Sequence, residues 1–188
     1  MATSRAAWQD RQPTFEAGQL VFIDESAAKT NMVRLYGRAL IGDRCYGFAP
    51  YGHWTTTTMI GSVRLNGETT CLAMKGGTSG EVFREYVRQI LLPTLKKGDI
   101  VIADNLNAHK NQDAQGLIEA AGAKIVFLPP YSPDFNPIEK MWSKIKQSLR
   151  SSAARTYDSL LGAMKKAFDS VNADDAHGWF QSCGYTIS

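Results

Sequence analysis

FLPPYSPDFNPIEKMWSKIK, residues 127–146, reads as the end of a strand, a hard corner and the start of a helix. Each of Pro129, Pro130, Pro133 and Pro137 fixes φ and removes an amide donor, so no regular element runs through them. Beyond the corner, Ile138, Met141, Trp142, Ile145 and Leu149 recur on one stripe of a helix that turns about 100° per residue. Glu139, Ser143, Lys146 and Arg150 fall on a second stripe beside it, running from acid to base. Asn136 followed by Pro137 has the chemistry of an N-cap and a first helical residue. That places Glu139 third, at the capping-box position. The same carboxylate, delivered by so stiff a corner, also reads as a metal ligand, and the two roles are compatible. Tyr131 and Phe135 are expected to pin the corner by packing.

Upstream, DIVIADN (99–105) is a continuous apolar run ending in acid, the pattern of a strand covered on both faces. A helix over about 111–121 and the strand KIVFL (124–128) complete a β-α-β unit, which implies parallel strands. LVFIDES (20–26) is another apolar run ending in acid, and residues 51–74 read as two strands joined at Asn66-Gly67. Val82, Phe83, Tyr86, Val87, Ile90 and Leu91 define a helix stopped by Pro93. Tyr157 to Val171 carries a last amphipathic stripe after a break at 151–155. Strands and a hairpin followed by alternating helices and strands predict an α/β fold, a mixed sheet flanked by helices. Residues 1–17 read as a polar lead-in segment, helical or loose, and residues 18–188 as one domain.

Composition names no function. The 188 residues are 44% hydrophobic and 21% charged, with a net charge of +3, which favours an anionic partner only weakly. Cys45, Cys71 and Cys183 lie far apart and form no CxxC pair, so neither a zinc site nor a disulfide framework is indicated; a reducing cytoplasm fits. No apolar run reaches the length of a membrane span. The local charge says more: Lys140, Lys144, Lys146, Arg150, Arg155, Lys165 and Lys166 are opposed by a single acid, Asp158, between positions 140 and 166.

Asp24 and Asp104 each stand at the carboxyl end of a predicted strand, where ligands gather in open α/β sheets. Singly, each can be a turn-forming acid. Together with Glu139 they supply the hard oxygen ligands that hold Mg²⁺, and two such ions can stabilise both the attacking and the leaving oxygen at phosphorus. A helix face that runs from an acid to cations suits a phosphate backbone crossing it.

LVFIDES, IVIADNLNAHK and FLPPYSPDFNPIEKMWSKIK resemble the DDE transposases of bacterial insertion sequences, in the branch allied to mariner elements. The resemblance runs from about residue 18 to the end, and the Leu-Pro-Pro-Tyr-Ser-Pro-Asp block with its Asn-Pro-Ile-Glu is the most specific part. It implies an RNase H-like fold and an acidic triad at Asp24, Asp104 and Glu139. It implies two Mg²⁺ ions, for which Mn²⁺ can substitute. The implied activity is metal-dependent cleavage at transposon ends, then attack of the freed 3′-OH on target DNA, typically at TA. The implied partners are double-stranded DNA, a second copy of the chain on that DNA, and a separate helix-turn-helix polypeptide for recognising the ends. The implied place is the bacterial cytoplasm, at the nucleoid. Lys29, His109, Lys110, Lys146 and Arg150 are the expected DNA contacts, with His109 either lining the site or facing solvent at a helix start. Glu25 adjoins Asp24 and points to the opposite face of its strand. Two other readings stand beside this one: a truncated, catalytically silent transposase product that acts as a DNA-binding or dimerising regulator, and a host RNase H-like nuclease.

Overall fold

The computed structural model describes residues 2–187. A lead-in helix α1 (Ala2–Arg11) precedes β1 (Leu20–Lys29), β2 (Thr56–Arg64) and β3 (Thr69–Lys75). Then come α2 (Gly80–Tyr86), β4 (Ile100–Ala103), α3 (Gln112–Ala120), β5 (Lys124–Phe127), α4 (Ile138–Ser152), α5 (Tyr157–Asp169) and α6 (Ala173–Ser182). The strands form one sheet in the order β3-β2-β1-β4-β5. β1 is antiparallel to β2 and parallel to β4, and β4 is parallel to β5, so the sheet is mixed as expected. The β2–β3 hairpin turns at Asn66-Gly67, where Gly67 takes φ +81°, a conformation glycine adopts without a Cβ penalty. α2 continues through a π turn (Val87–Leu91) and ends at the short turn that contains Pro93.

Alternation along the strands splits the core in two. Leu20 and Phe22 of β1 and Ile100 and Ile102 of β4 pack with α4, α5 and α6 on one face. Val21, Ile23, Val101 and Ala103 pack with α2 and α3 on the other. The apolar stripe Ile138, Met141, Trp142, Ile145 and Leu149 is buried as its spacing predicts. Trp142 lies directly on β2: a Cβ at Gly61 would come within 2.9 Å of the indole Cη2 and within 2.9 Å of the Thr70 carbonyl, so this strand position has no room for a side chain.

Four features go beyond the sequence reading. The lead-in segment carries structure: Trp8 is buried against Phe15 with ring centroids 5.6 Å apart, and Gln12 donates to the Cys183 carbonyl at 2.6 Å. α6 is a further helix, started by a capping box between Asn172 and Asp175 and tied to α4 by the Lys144–Asp175 ion pair. A buried pair, Arg64 and Asp99 at 2.5 Å, joins the end of β2 to the start of β4. Finally, residues 31–55 link β1 to β2 with no helix or strand, and Tyr36, Ile41, Phe48 and Tyr51 stand in solvent.

Candidate active site

The parity of β1 and β4 decides where the acids go. Asp24 shares the face of Leu20 and Phe22, the side on which α4 packs, while Glu25 shares the face of Val21 and Ile23. The parallel register runs Leu20–Ile100, Val21–Val101, Phe22–Ile102, and two further residues bring Asp24 level with Asp104. Glu139 enters from the first turn of α4 on that same side. Asp24, Asp104 and Glu139 thus line one cleft of about 580 Å³, together with Asn105, Leu106, Asn136 and the corner from Leu128 to Pro133.

Asp24 is 9% exposed, and its Oδ1 accepts from the Glu25 amide at 2.7 Å. Burial, with further repulsion from Glu139, Asp104 and Glu25, pushes its carboxyl up to about 7, against the pull of that hydrogen bond. Asp104 follows β4, and its Oδ1 accepts from the Leu106 amide at 2.9 Å and lies 2.7 Å from His109 Nδ1. Burial works against its charge, but His109 and the amide hold its carboxyl below the ordinary range.

His109 does not face solvent: it is fully buried. Its Nε2 sits 2.9 Å from Glu25 Oε2 and 3.0 Å from Oε1, while Nδ1 meets Asp104 off the line of a well-formed hydrogen bond. Burial disfavours its charge, yet the two carboxylates overcome this and raise it to about 9, so the ring is an imidazolium at neutral pH. Glu25, on the far face of β1, therefore holds Asp104 through His109. His109 follows Asp104 by five positions, and a short helical turn over Asn107–Lys110 folds the imidazole back under the strand end.

The expected N-cap is absent. α4 begins at Ile138 with Pro137 already in helical conformation, and no side chain caps it. The Glu139 amide is met by the backbone carbonyl of Asn136 at 3.2 Å, so the cap is a main-chain turn. The Asn136 side chain is buried behind the cleft wall, the residue being 4% exposed, with Oδ1 unpartnered.

The corner is pinned by a group the sequence reading passed over. Arg5 of α1 grips Asp134 with both terminal nitrogens (2.9 and 2.6 Å), donates to Ser132 Oγ at 2.8 Å and lies 4.6 Å over the Phe135 ring. Phe135 packs inside as expected, 5% exposed, and Tyr185 donates to its carbonyl at 2.8 Å. Tyr131 does not pack: it is 87% exposed, at φ +55°.

The donor set suits a divalent cation. Asp24 and Asp104 each engage one carboxylate oxygen with the fold, and among the described residues Asp24 Oδ2, Asp104 Oδ2 and both oxygens of Glu139 have no partner. All are hard oxygen donors, the kind Mg²⁺ and Mn²⁺ take. The acids share the cleft without closing into a cage: among the described residues no three His, Cys, Asp or Glu side chains stand in metal-holding positions.

The expected basic contacts are dispersed. Lys29 is exposed, with Nζ 5.9 Å over the Trp54 ring, and Lys110 is exposed beside the cleft-wall turn. Lys146 and Arg150 lie half-buried on α4, roughly 10 and 16 Å along its axis from Glu139 at 1.5 Å per residue. Two cations of the basic stretch are engaged elsewhere: Lys144 with Asp175 and the Ser170 carbonyl, and Arg155 with the carbonyls of Thr30 and Met32.

Solved structures share this architecture. The Mos1 transposase paired-end complex with left transposon end superposes with a TM-score of 0.72 at 14% identity, over 96% of this chain and 57% of that one. The catalytic domain of Mos1 mariner transposase gives 0.67 at 12% identity, over 96% and 85%. The catalytic core domain of BIV integrase gives 0.52 at 15% identity, over 81% and 82%. The chain thus spans little more than half of the Mos1 transposase chain in the paired-end complex, and the likeness establishes the RNase H-like fold. No curated protein sequence matches it. The family model described as DDE superfamily endonuclease matches residues 19–161, which hold all three acids, and the chain belongs to that family.

Proposed function

We propose that this chain is the catalytic domain of a transposase, cleaving DNA strands in a metal-dependent reaction and joining the freed 3′-OH to target DNA. The observation that carries the reading is the convergence of Asp24, Asp104 and Glu139, from two strand ends and one helix start, on a single cleft. The superposed Mos1 transposase structures, complexes with a transposon end, with Mn and with Mg, support it.

Asp24, Asp104 and Glu139 would hold the divalent ions. When bound, such ions neutralise charge at the reacting phosphate and activate the attacking oxygen. The chain's own residues do the rest. Glu25 and His109 keep Asp104 ionised, and His109 engages its Oδ1, which leaves Oδ2 free for a ligand. The buried Asp24 is poised to give up its proton when a cation arrives, because its raised pKa comes from burial and from carboxylates a cation would neutralise. Arg5 and the prolines hold the corner, and through it the direction of Glu139.

The test is a supercoiled-plasmid nicking assay and an oligonucleotide strand-transfer assay in Mg²⁺ or Mn²⁺, with any required end-recognising polypeptide supplied. The chain should nick DNA only with the metal, and Glu139→Gln should abolish nicking while leaving stability within about 1 kcal/mol, since Glu139 makes no cap. Nicking by Glu139→Gln at the parent rate would overturn the assignment.

A further inference from the structure

Tyr131 stands at the rim of the acidic cleft, 87% exposed, between Pro130 and Ser132. Its φ of +55° is one of two positive values at non-glycine residues among those described. A side chain there clashes with its own backbone, and such strain persists only where the surroundings impose it. Here they do: prolines stand two and one residues before it and two after it, and Arg5 reaches its carbonyl (3.4 Å) as well as Ser132 and Asp134. The corner thus holds a large aromatic ring in water, in a backbone conformation that glycine would take more easily. Packing does not explain the ring, since nothing in the core touches it.

The cleft supplies the context. Its wall is apolar, formed by Leu106, Pro129, Pro130 and Tyr131, and Leu106 is itself 44% exposed. Its floor holds the three carboxylates. A ligand that fits both must carry a phosphate to the floor and present a flat apolar face to the wall. A nucleotide with its base out of the stack does so, while a base inside a duplex has no free face to offer.

We infer that Tyr131 stacks on an unpaired nucleobase next to the phosphate held at Asp24, Asp104 and Glu139. The inference rests on the DNA-cleaving reading of the site and adds to it a substrate preference: strands unpaired at the reacting position. Tyr131 is then a substrate-binding residue, and the stiff corner aims two groups at once, Glu139 at the phosphate and Tyr131 at its base.

The test uses the full chain with Ca²⁺ in place of Mg²⁺ and two DNAs, a duplex with a short single-stranded flap carrying 2-aminopurine at the junction and the same sequence fully paired. The parent should quench the flap probe and bind the flap DNA more tightly than the duplex. Tyr131→Gly, which suits φ +55° and should hold its melting temperature, should lose the quenching. It should also bind the flap DNA roughly 5- to 150-fold more weakly, the factor equivalent to about 1–3 kcal/mol for one stacked base, with duplex binding unchanged. Tyr131→Trp should retain both. Equal quenching by Tyr131→Gly, or equal losses on flap and duplex DNA, would overturn the inference. Metal-dependent nicking by a parent that never quenches the probe would overturn it while leaving the proposed function intact. Quenching without any nicking would support the inference and sink the catalytic reading instead.

Discussion

Replacing Asp24 by Asn should make the metal-free protein more stable at alkaline pH while destroying its activity. Asn keeps the size of the side chain and can still accept from the Glu25 amide, so the fold loses no contact. It loses a buried charge. The Asp24 carboxyl sits near 7 in the folded chain, against an ordinary 3.8. A carboxyl raised in the folded state contributes stability in its protonated form, fully present below about 4 and lost as pH climbs through about 7. Between about pH 5.5 and pH 8 the parent should lose about 2 kcal/mol on this account, at 1.36 kcal/mol per unit over the interval in which only the folded state holds the proton. His109, raised to about 9, loses its own contribution between about 6.5 and 9, but both proteins carry it, so the difference between them isolates Asp24. Urea unfolding of parent and variant in EDTA, across this range, reads the effect directly. Mg²⁺ should restore the parent at pH 8 and do little for the variant, because binding to the folded state alone stabilises by RT ln(1 + [L]/Kd). Parallel stability curves from about pH 5.5 to 8, or a variant less stable than the parent at pH 8, would refute the reasoning.

Asn136→Ala should cost less stability than the loss of a side-chain N-cap, about 1 kcal/mol, because Asn136 caps α4 through its backbone carbonyl; its effect should fall on DNA binding in the cleft, read by fluorescence anisotropy beside urea melts. Arg64→Met should destabilise the chain by about 3–5 kcal/mol by leaving Asp99 charged and unpaired, whereas the double change with Asp99→Leu should recover much of the loss in denaturant melts. Replacing Lys146 and Arg150 with Ala should flatten the log–log salt dependence of DNA binding by roughly one unit per lost phosphate contact, whereas Lys144→Ala, which breaks a bridge to α6, should lower the melting temperature.

The elements that could be read from the sequence were those whose periodicity is unbroken. DIVIADN and KIVFL carry parallel strands because continuous apolar runs answer to helices on both faces, and the α4 stripe was visible at 3.6-residue spacing. α6 was not, since only Ala176 and Phe180 of its ten residues are buried and its start depends on Asn172 meeting Asp175. The same limit applied at the site. Strand-end positions brought the acids into view, but the partners that control them come from far along the chain: Arg5 is 129 residues from Asp134, and Glu25 is 84 from His109. Asn136 followed by Pro137 has cap chemistry, and only the turn geometry reveals that the backbone carbonyl, not the amide side chain, meets the helix. A positive φ at Tyr131 has no local signal either, because tyrosine is not a residue that favours it.

The contact between Gly61 and Trp142 sets a dimension of the site. Gly61 is the register partner of Asp24, and Trp142 stands one turn along α4 from Glu139. The edge of the indole, set against bare backbone, therefore helps to set how closely the helix of Glu139 approaches the strand of Asp24. A methyl group at Gly61 would lift the helix and widen the gap, and a smaller ring at Trp142 would let it settle and close. A smaller ring at Trp142 would not by itself admit a side chain at Gly61, because the Thr70 carbonyl stands equally close; the bare backbone is required on two sides, and with it the close approach of the helix to the strand of Asp24.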